Sequence, residues 1–411
     1  MSALLAPALE PAEEPVVASR APLPRSITLD ISRLLSRAFH ATPTGIDRVE
    51  FAYARALLET EGRRVSFEAW VPGLGFLTYA PAAVKRLLAT LERRWSDGAE
   101  PNGIDAVRAW SGVRPSRAPA TDNLHLIVSH QHLADLHRRI RRKPGARTCV
   151  YIHDTIPSDY PEYARPGGAA AHDRRMRNSV ALADAVIVNS QATARSLDRF
   201  MLEVDRRPQL LVAPLGVEPM FRPAEVPGPE RPPYFLCLGT IEPRKNHLLL
   251  LQVWRALAER SPAVALPRLV LVGRRGWENE NVVDLLDRSE ALRGLVIEAG
   301  RLGDAQLAEL LAHACAVLMP SFVEGFGLPV AEALAAGVPV IASDIAVLRE
   351  IGGGVPDYLD PLDGPGWMRT IADFARPDSP MRAAQRARMQ GWEASQWSGH
   401  FERVFPFLDA L

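Results

Sequence analysis

Cysteine is scarce in this chain. Three occur in 411 residues, Cys149, Cys237 and Cys315, each inside an apolar run that reads as a strand. They are too far apart for a metal-ligand spacing or a disulfide framework, so buried, inert thiols in a reducing compartment are expected. Neither sign of charge is in excess, with 48 Lys and Arg against 48 Asp and Glu. That balance carries no electrostatic footprint of a nucleic-acid partner. No apolar run approaches the roughly 20 residues of a membrane span. The opening, MSALLAPALEPAEEPVVASRAPLPR, lacks the basic start of a signal peptide. Its Pro, Ala and Glu mixture can bury little apolar area, so residues 1–24 read as a flexible tail.

What is present argues for two domains, because 411 residues exceed one ordinary core. Pro219, Pro223, Pro227, Pro229, Pro232 and Pro233 exclude helix and inner strand. They place a linker at 216–233, between a domain at 25–215 and another at 234–390, with 391–411 as a final helix. In the first domain, SITLDI (Ser26 to Ile31), HLIVS (His125 to Ser129), TCVYIH (Thr148 to His153) and ADAVIVNS (Ala183 to Ser190) read as strands, with helices at Val49 to Glu59 and Ala82 to Arg94. The polar, Pro- and Gly-rich stretch 96–123 reads as a surface excursion. In the second domain the near-continuous apolar runs YFLCL (Tyr234 to Leu238), LVLVG (Leu269 to Gly273) and CAVLMP (Cys315 to Pro320) suit strands covered on both faces.

Three stretches carry chemistry. Between an apolar run and the helix Leu328 to Ala336 lies the turn Glu324-Gly325-Phe326-Gly327, and Glu332 follows eight residues after Glu324. A strand, turn, helix, strand unit presents such a turn at the carboxyl end of a parallel sheet, where open α/β folds bind ligands. Ionised carboxylates accept from vicinal hydroxyls, and glycines admit a ligand close to the backbone. In GTIEPRKN, Gly239 ends a strand while Arg244 and Lys245 sit just before a helix. Cations at a helix N-terminus are electrostatically odd unless an anion lies between them. In YIHDTIPSDYPEY, His153-Asp154 closes a strand, where a histidine can hydrogen-bond a hydroxyl while its other nitrogen is held. Thr44-Gly45-Ile46-Asp47-Arg48 precedes a helix and offers N–H groups to an anion or a sugar. Arg138, Arg139, Arg141, Arg142, Lys143 and Arg147 form a basic cluster, which suits anionic lipid headgroups at about 1 kcal/mol per basic residue. Its plain reading is a solvated helix end.

The string EGFGLPVAEALAAGVPVIASD, with GTIEPRKN and YIHDTIPSDYPEY, resembles the retaining nucleotide-sugar glycosyltransferases of glycosyltransferase family 4 over about 26–405. The resemblance implies an α/β GT-B fold: two Rossmann-like domains with parallel sheets facing an interdomain cleft, and a C-terminal helix crossing back to the first domain with Trp392 and Trp397 at the interface. It also implies roles. Arg244 and Lys245 would hold the diphosphate, with Gly45 and Gly239 beside the donor. The Arg301-Leu302-Gly303 turn would touch the nucleobase and Glu332 the ribose. Glu324, Gly325, Phe326, Gly327 and Leu328 would face the transferred sugar and phosphate, His153 would lie by that sugar, and Asp154 would orient His153 or meet the acceptor. No D-x-D occurs, so no metal and no other cofactor is expected. The implied reaction moves a hexose, mannose being the guess, from a nucleoside-diphosphate sugar to a saccharide or lipid-linked hydroxyl, at the cytoplasmic face of the membrane. A sugar-nucleotide epimerase of the same fold and a non-catalytic nucleotide-sugar-binding subunit are the alternatives.

Overall fold

The computed structural model describes residues 26–61, 65–71, 73–100, 113–115, 123–136, 145–221, 232–260 and 266–411. The tail at 1–24, the middle of the linker, most of the excursion at 96–123 and most of the basic cluster lie outside the described residues. Of that cluster only Arg147 is described, donating to Asp184 at 3.1 Å.

The apolar runs fall in two sheets. The first has the order β4-β3-β2-β1-β5-β6-β7-β8, from β1 (Ser26–Asp30), β2 (Val65–Val71), β3 (Gly75–Tyr79), β4 (Val113–Pro115), β5 (Asn123–Ile127), β6 (Arg147–Ile152), β7 (Ala185–Val188) and β8 (Gln209–Val212). β2, β1, β5, β6, β7 and β8 are joined by parallel pairings, with Ile27 opposite both Val65 and Leu124. The β2-β3-β4 edge departs from the expected all-parallel sheet, since both of its pairings are antiparallel. A tight turn closed by Leu74 N–H on Val71 O (3.1 Å) makes the reversal, which antiparallel neighbours allow and parallel ones do not.

The second sheet comprises β9 (Tyr234–Leu238), β10 (Arg268–Val272), β11 (Val296–Gly300), β12 (Ala316–Met319), β13 (Val340–Ser343) and β14 (Asp357–Leu359). Its order, β11-β10-β9-β12-β13-β14, is the Rossmann order with the switch point between β9 and β12. All its pairings are parallel. β9 is buried along its whole length, as its unbroken apolar sequence requires.

The chain crosses between the domains twice. Val217 and Phe221 pack into the second domain's core, so the start of the expected linker is docked. Val217 N–H donates to Ser395 O at 2.9 Å, tying both crossings together. The last helix, Trp397–Asp409, returns to the first domain and places Phe401, Val404 and Leu408 in its core. His400 bridges the Pro214 carbonyl (2.8 Å) and the Tyr53 hydroxyl (2.9 Å). Trp397 packs on the first domain's core and Trp392 on the second's, each only partly buried.

Candidate active site

Between the carboxyl ends of the two sheets lies a cavity of about 540 Å³, lined from both domains. His153, Asp154, Gly239, Arg244, Lys245 and the stretch Glu324 to Leu328 with Glu332 line this one space together with Gly45, Arg301 and Leu302, whereas Gly303, expected in the nucleobase turn, packs against Ser96 and Gly98 instead.

The second domain's wall is built around two turns. After β9 the chain makes a short 3-10 turn, Pro243–Lys245, and Asn246 adopts a left-handed conformation (φ 55°). The Asn246 amide donates to Pro320 O (3.1 Å) and Pro361 O (2.9 Å), fixing the turn against the ends of β12 and β14. Lys245 Nζ donates to Glu324 Oε1 at 2.6 Å and Arg244 Nη1 to Glu324 Oε2 at 2.8 Å, while Arg244 Nη2 reaches Glu242 at 2.7 Å. Burial alone would raise the Glu324 pKa, but Arg244 and Lys245 outweigh it and hold the carboxyl near about 2. Glu324 is therefore ionised at neutral pH. Glu332, in the helix Leu328–Ala335, is raised to about 7 by burial, against the pull of Arg48 and with the push of Asp304 and Glu218. Two carboxylates eight residues apart thus have opposite protonation tendencies.

The first domain's wall comes from the loops after β1 and β6. The helix expected at Val49 begins at Gly45, because Thr44 and Asp47 form a capping box, with Thr44 N–H donating to Asp47 Oδ2 at 2.7 Å. Gly45 is the first helical residue. Asp47 is fully buried, accepts from Arg33 Nε (2.5 Å) and pairs in charge with Arg37, whose Nε lies 2.9 Å away without hydrogen-bond geometry. Arg48, one residue on, clamps Asp304 of the second domain through both Nη groups. His153 Nε2 lies 2.7 Å from the Val128 carbonyl, which makes Nε2 the protonated nitrogen and Nδ1 the acceptor. Burial lowers the ring to about 4 despite that bond and Asp154. Val128, not Asp154, orients it; Asp154 instead accepts from Ile156 N–H at 3.1 Å.

The walls touch. Ser190 Oγ (3.1 Å) and Thr193 Oγ1 (3.3 Å) donate to Gly325 O, and a Cβ on Gly325 would lie 2.7 Å from His153 O. Glu350 accepts from Gln191 N–H (2.7 Å) and Ala192 N–H (3.2 Å), capping the helix Gln191–Glu203 from the other domain. Phe326 lines the cavity with its backbone turn, but its ring is buried in the first domain's core cluster. Sequence reading missed Arg33, Arg37, Glu242 and the Arg48 clamp. T-x-x-D ahead of an apolar helix was a readable capping signal; the pairings across domains had none.

The model for glycosyl transferases group 1 matches residues 222–353. The D-inositol 3-phosphate glycosyltransferase of Streptomyces scabiei is 30% identical over 316 residues, covering 70% of this chain and 68% of that protein. The chain belongs to the group 1 glycosyl transferases. O-antigen chain mannosyltransferase B of Escherichia coli is 36% identical over 165 residues, 39% of this chain. The match spans 42% of that protein, less than half its length. Among solved structures, Anabaena HepE in complex with UDP-glucose superposes with a TM-score of 0.61 at 15% identity, over 94% of this chain and all of that one. The shared fold is GT-B.

Proposed function

We propose that this chain is a retaining, metal-independent glycosyltransferase of family 4 that moves a hexose, mannose from a guanosine donor, to a hydroxyl of a saccharide or lipid-linked acceptor in surface polysaccharide synthesis at the cytoplasmic face of the membrane. The observation that carries it is Glu324 held between Arg244 and Lys245 at the mouth of a helix, in the same cavity as Glu332 and His153. The names of the mannosyltransferase relatives favour mannose.

In this reading the nucleoside diphosphate lies along the second domain, its ribose hydroxyls on Glu332, its base by Arg301 and Leu302, and its phosphates by Gly239, Arg244 and Lys245. As the bond from the anomeric carbon to the diphosphate oxygen breaks, negative charge collects on the leaving group, where preorganised cations stabilise it most. The acceptor oxygen then bonds the same face of that carbon, and its proton passes to the departing phosphate oxygen. His153, neutral and with Nδ1 free to accept, holds a hydroxyl of the transferred sugar, and Asp154 meets the acceptor. Glu324 positions sugar and cations. Its two ion pairs occupy the oxygens that a nucleophile would use.

The test is a panel of sugar nucleotides (GDP-mannose, UDP-glucose, UDP-galactose, UDP-N-acetylglucosamine, dTDP-rhamnose), screened by thermal shift with EDTA present, then nucleotide release with membrane extract as acceptor. One donor is expected to stabilise the wild type and not Arg244→Ala or Glu332→Ala. Absence of any sugar-nucleotide binding would overturn the reading. Binding only when a divalent cation replaces EDTA would overturn metal independence.

A further inference from the structure

Charge is distributed unevenly over the cavity's two walls. In the second domain, Arg244 and Lys245 face Glu242 and Glu324, so the cluster as it stands is neutral. In the first domain, Arg33 and Arg37 converge on a single carboxylate, Asp47, whose oxygens are shared with Thr44. Arg33 also donates Nη2 to Thr44 Oγ1 at 3.0 Å. No hydrogen-bond partner for Arg33 Nη1, or for Arg37 Nη1 and Nη2, is present among the described residues. Both side chains are mostly buried, 20% and 17% exposed, and both line the cavity. Of the other acids nearby, Asp30 is engaged by Ser32 through its backbone N–H and hydroxyl. Asp304 is taken by Arg48, and burial first, then Asp30, raises Glu50 to about 8. His40 lines the same wall, and its pKa is lowered by burial first and then by Arg37, against Ser36 and Asp47, with a smaller push from Arg301 of the other domain.

A partly desolvated cation with less than one counter-charge is costly unless something anionic completes it. Arg33 is anchored through Nε, and Arg37 Nε lies buried beside Asp47 with no hydrogen bond made; guanidinium groups with unused N–H groups at a cavity present the planar fork that grips phosphate or carboxylate. We propose that Arg33 and Arg37, anchored by Asp47, form a second oxyanion subsite across the cleft from Arg244 and Lys245, which binds a phosphate group of the substrates. The proposal rests on the glycosyltransferase reading only for the identity of that phosphate: it belongs either to an anionic acceptor or to the donor's diphosphate reaching across the closed cleft. The subsite itself is a property of this wall.

The experiment is calorimetric titration of the full chain with inorganic phosphate, nucleoside monophosphate and nucleoside diphosphate, comparing wild type with Arg37→Gln, Arg33→Gln and Arg37→Lys. Arg37→Gln leaves Arg33 and Thr44 on Asp47, and an unchanged unfolding temperature controls for folding. If the subsite serves the acceptor, inorganic phosphate binds the wild type saturated with nucleoside diphosphate, and Arg37→Gln weakens it at least tenfold with nucleotide affinity unchanged. If it serves the donor, Arg37→Gln weakens the diphosphate at least tenfold and spares the monophosphate. Arg37→Lys, which keeps the charge and loses the fork, falls between. Unchanged affinities in both glutamine variants overturn the subsite. A wild type that binds inorganic phosphate through Arg37 but no nucleotide would sink the glycosyltransferase reading and leave the subsite standing.

Discussion

Glu332 and Glu324 sit on one turn and helix, yet their surroundings set them about five pH units apart, near about 7 and about 2. Glu324 has two cations within 2.8 Å. Glu332 has burial and two acidic neighbours, Asp304 and Glu218, against one guanidinium, Arg48. The sign follows from linkage. A carboxyl whose folded pKa is raised binds its proton more tightly when folded, so its cost to stability is absent below the unfolded value of 4.5 and grows until about pH 7. Glu332→Gln should therefore stabilise the fold by up to about 3 kcal/mol at pH 8 and by nothing at pH 4. Urea unfolding at the two pH values measures this, and equal effects at both would refute it. With the ribose contact proposed for Glu332, nucleoside affinity should strengthen several-fold between pH 6 and 8 as this carboxyl ionises, and become flat in Glu332→Gln.

At the scale of elements, the glycine turns act as contact surfaces between domains. A Cβ on Gly303 would lie 2.5 Å from both Gly98 N and Ser96 O, at the end of the helix Pro81–Asp97. Backbone atoms cannot give way as a flexible side chain would. Gly303→Ala is expected to keep each domain folded while wedging the cleft open, with at least a tenfold loss of transferase activity and a larger radius of gyration by small-angle scattering. An unchanged radius with full activity would show that the contact is dispensable. Much at this scale was legible beforehand. The Tyr234–Leu238 strand has its expected bounds, because an unbroken apolar run ending at glycine has few other uses. The helix at Gly45 was read four residues short, since Thr44-Gly45 looks like a turn until Asp47 is seen to close a capping box. β4 has no readable signal, because three residues in a polar stretch show no periodicity, and β3, GFLTY, is apolar but short, with only its antiparallel pairing to β2 to define it as a strand.

For the whole molecule, the last helix is part of the first domain's core although the second domain separates it in sequence. Phe401 packs edge-on to Tyr53 at 5.1 Å and is nearly buried. Phe401→Ala should cost about 3–5 kcal/mol, and the loss should appear in the transition that unfolds the first sheet, read by hydrogen exchange of β1, β5 and β6. Loss confined to the second sheet would mean that the helix does not stabilise the first. The crossing also carries Trp397, whose Nε1 donates to Glu218 at 3.1 Å. The segment whose carboxylate faces Glu332 is thus held by the returning helix, which ties domain packing to the charge of the cavity.

The sequence by itself determined the two sheets, the class of fold and the turns that meet in the cavity, because apolar runs, glycines and prolines act over a few neighbouring residues. Tertiary structure alone decided which charges oppose one another. Arg48 meets Asp304 from 256 residues away, and Arg33 and Arg37 share the Asp47 that a capping box buries. Those pairings set which carboxyl is ionised, which cations must share one counter-charge and how closely the domains approach. A side chain's charge state depends on burial and on groups from other elements, and no spacing along the chain encodes that.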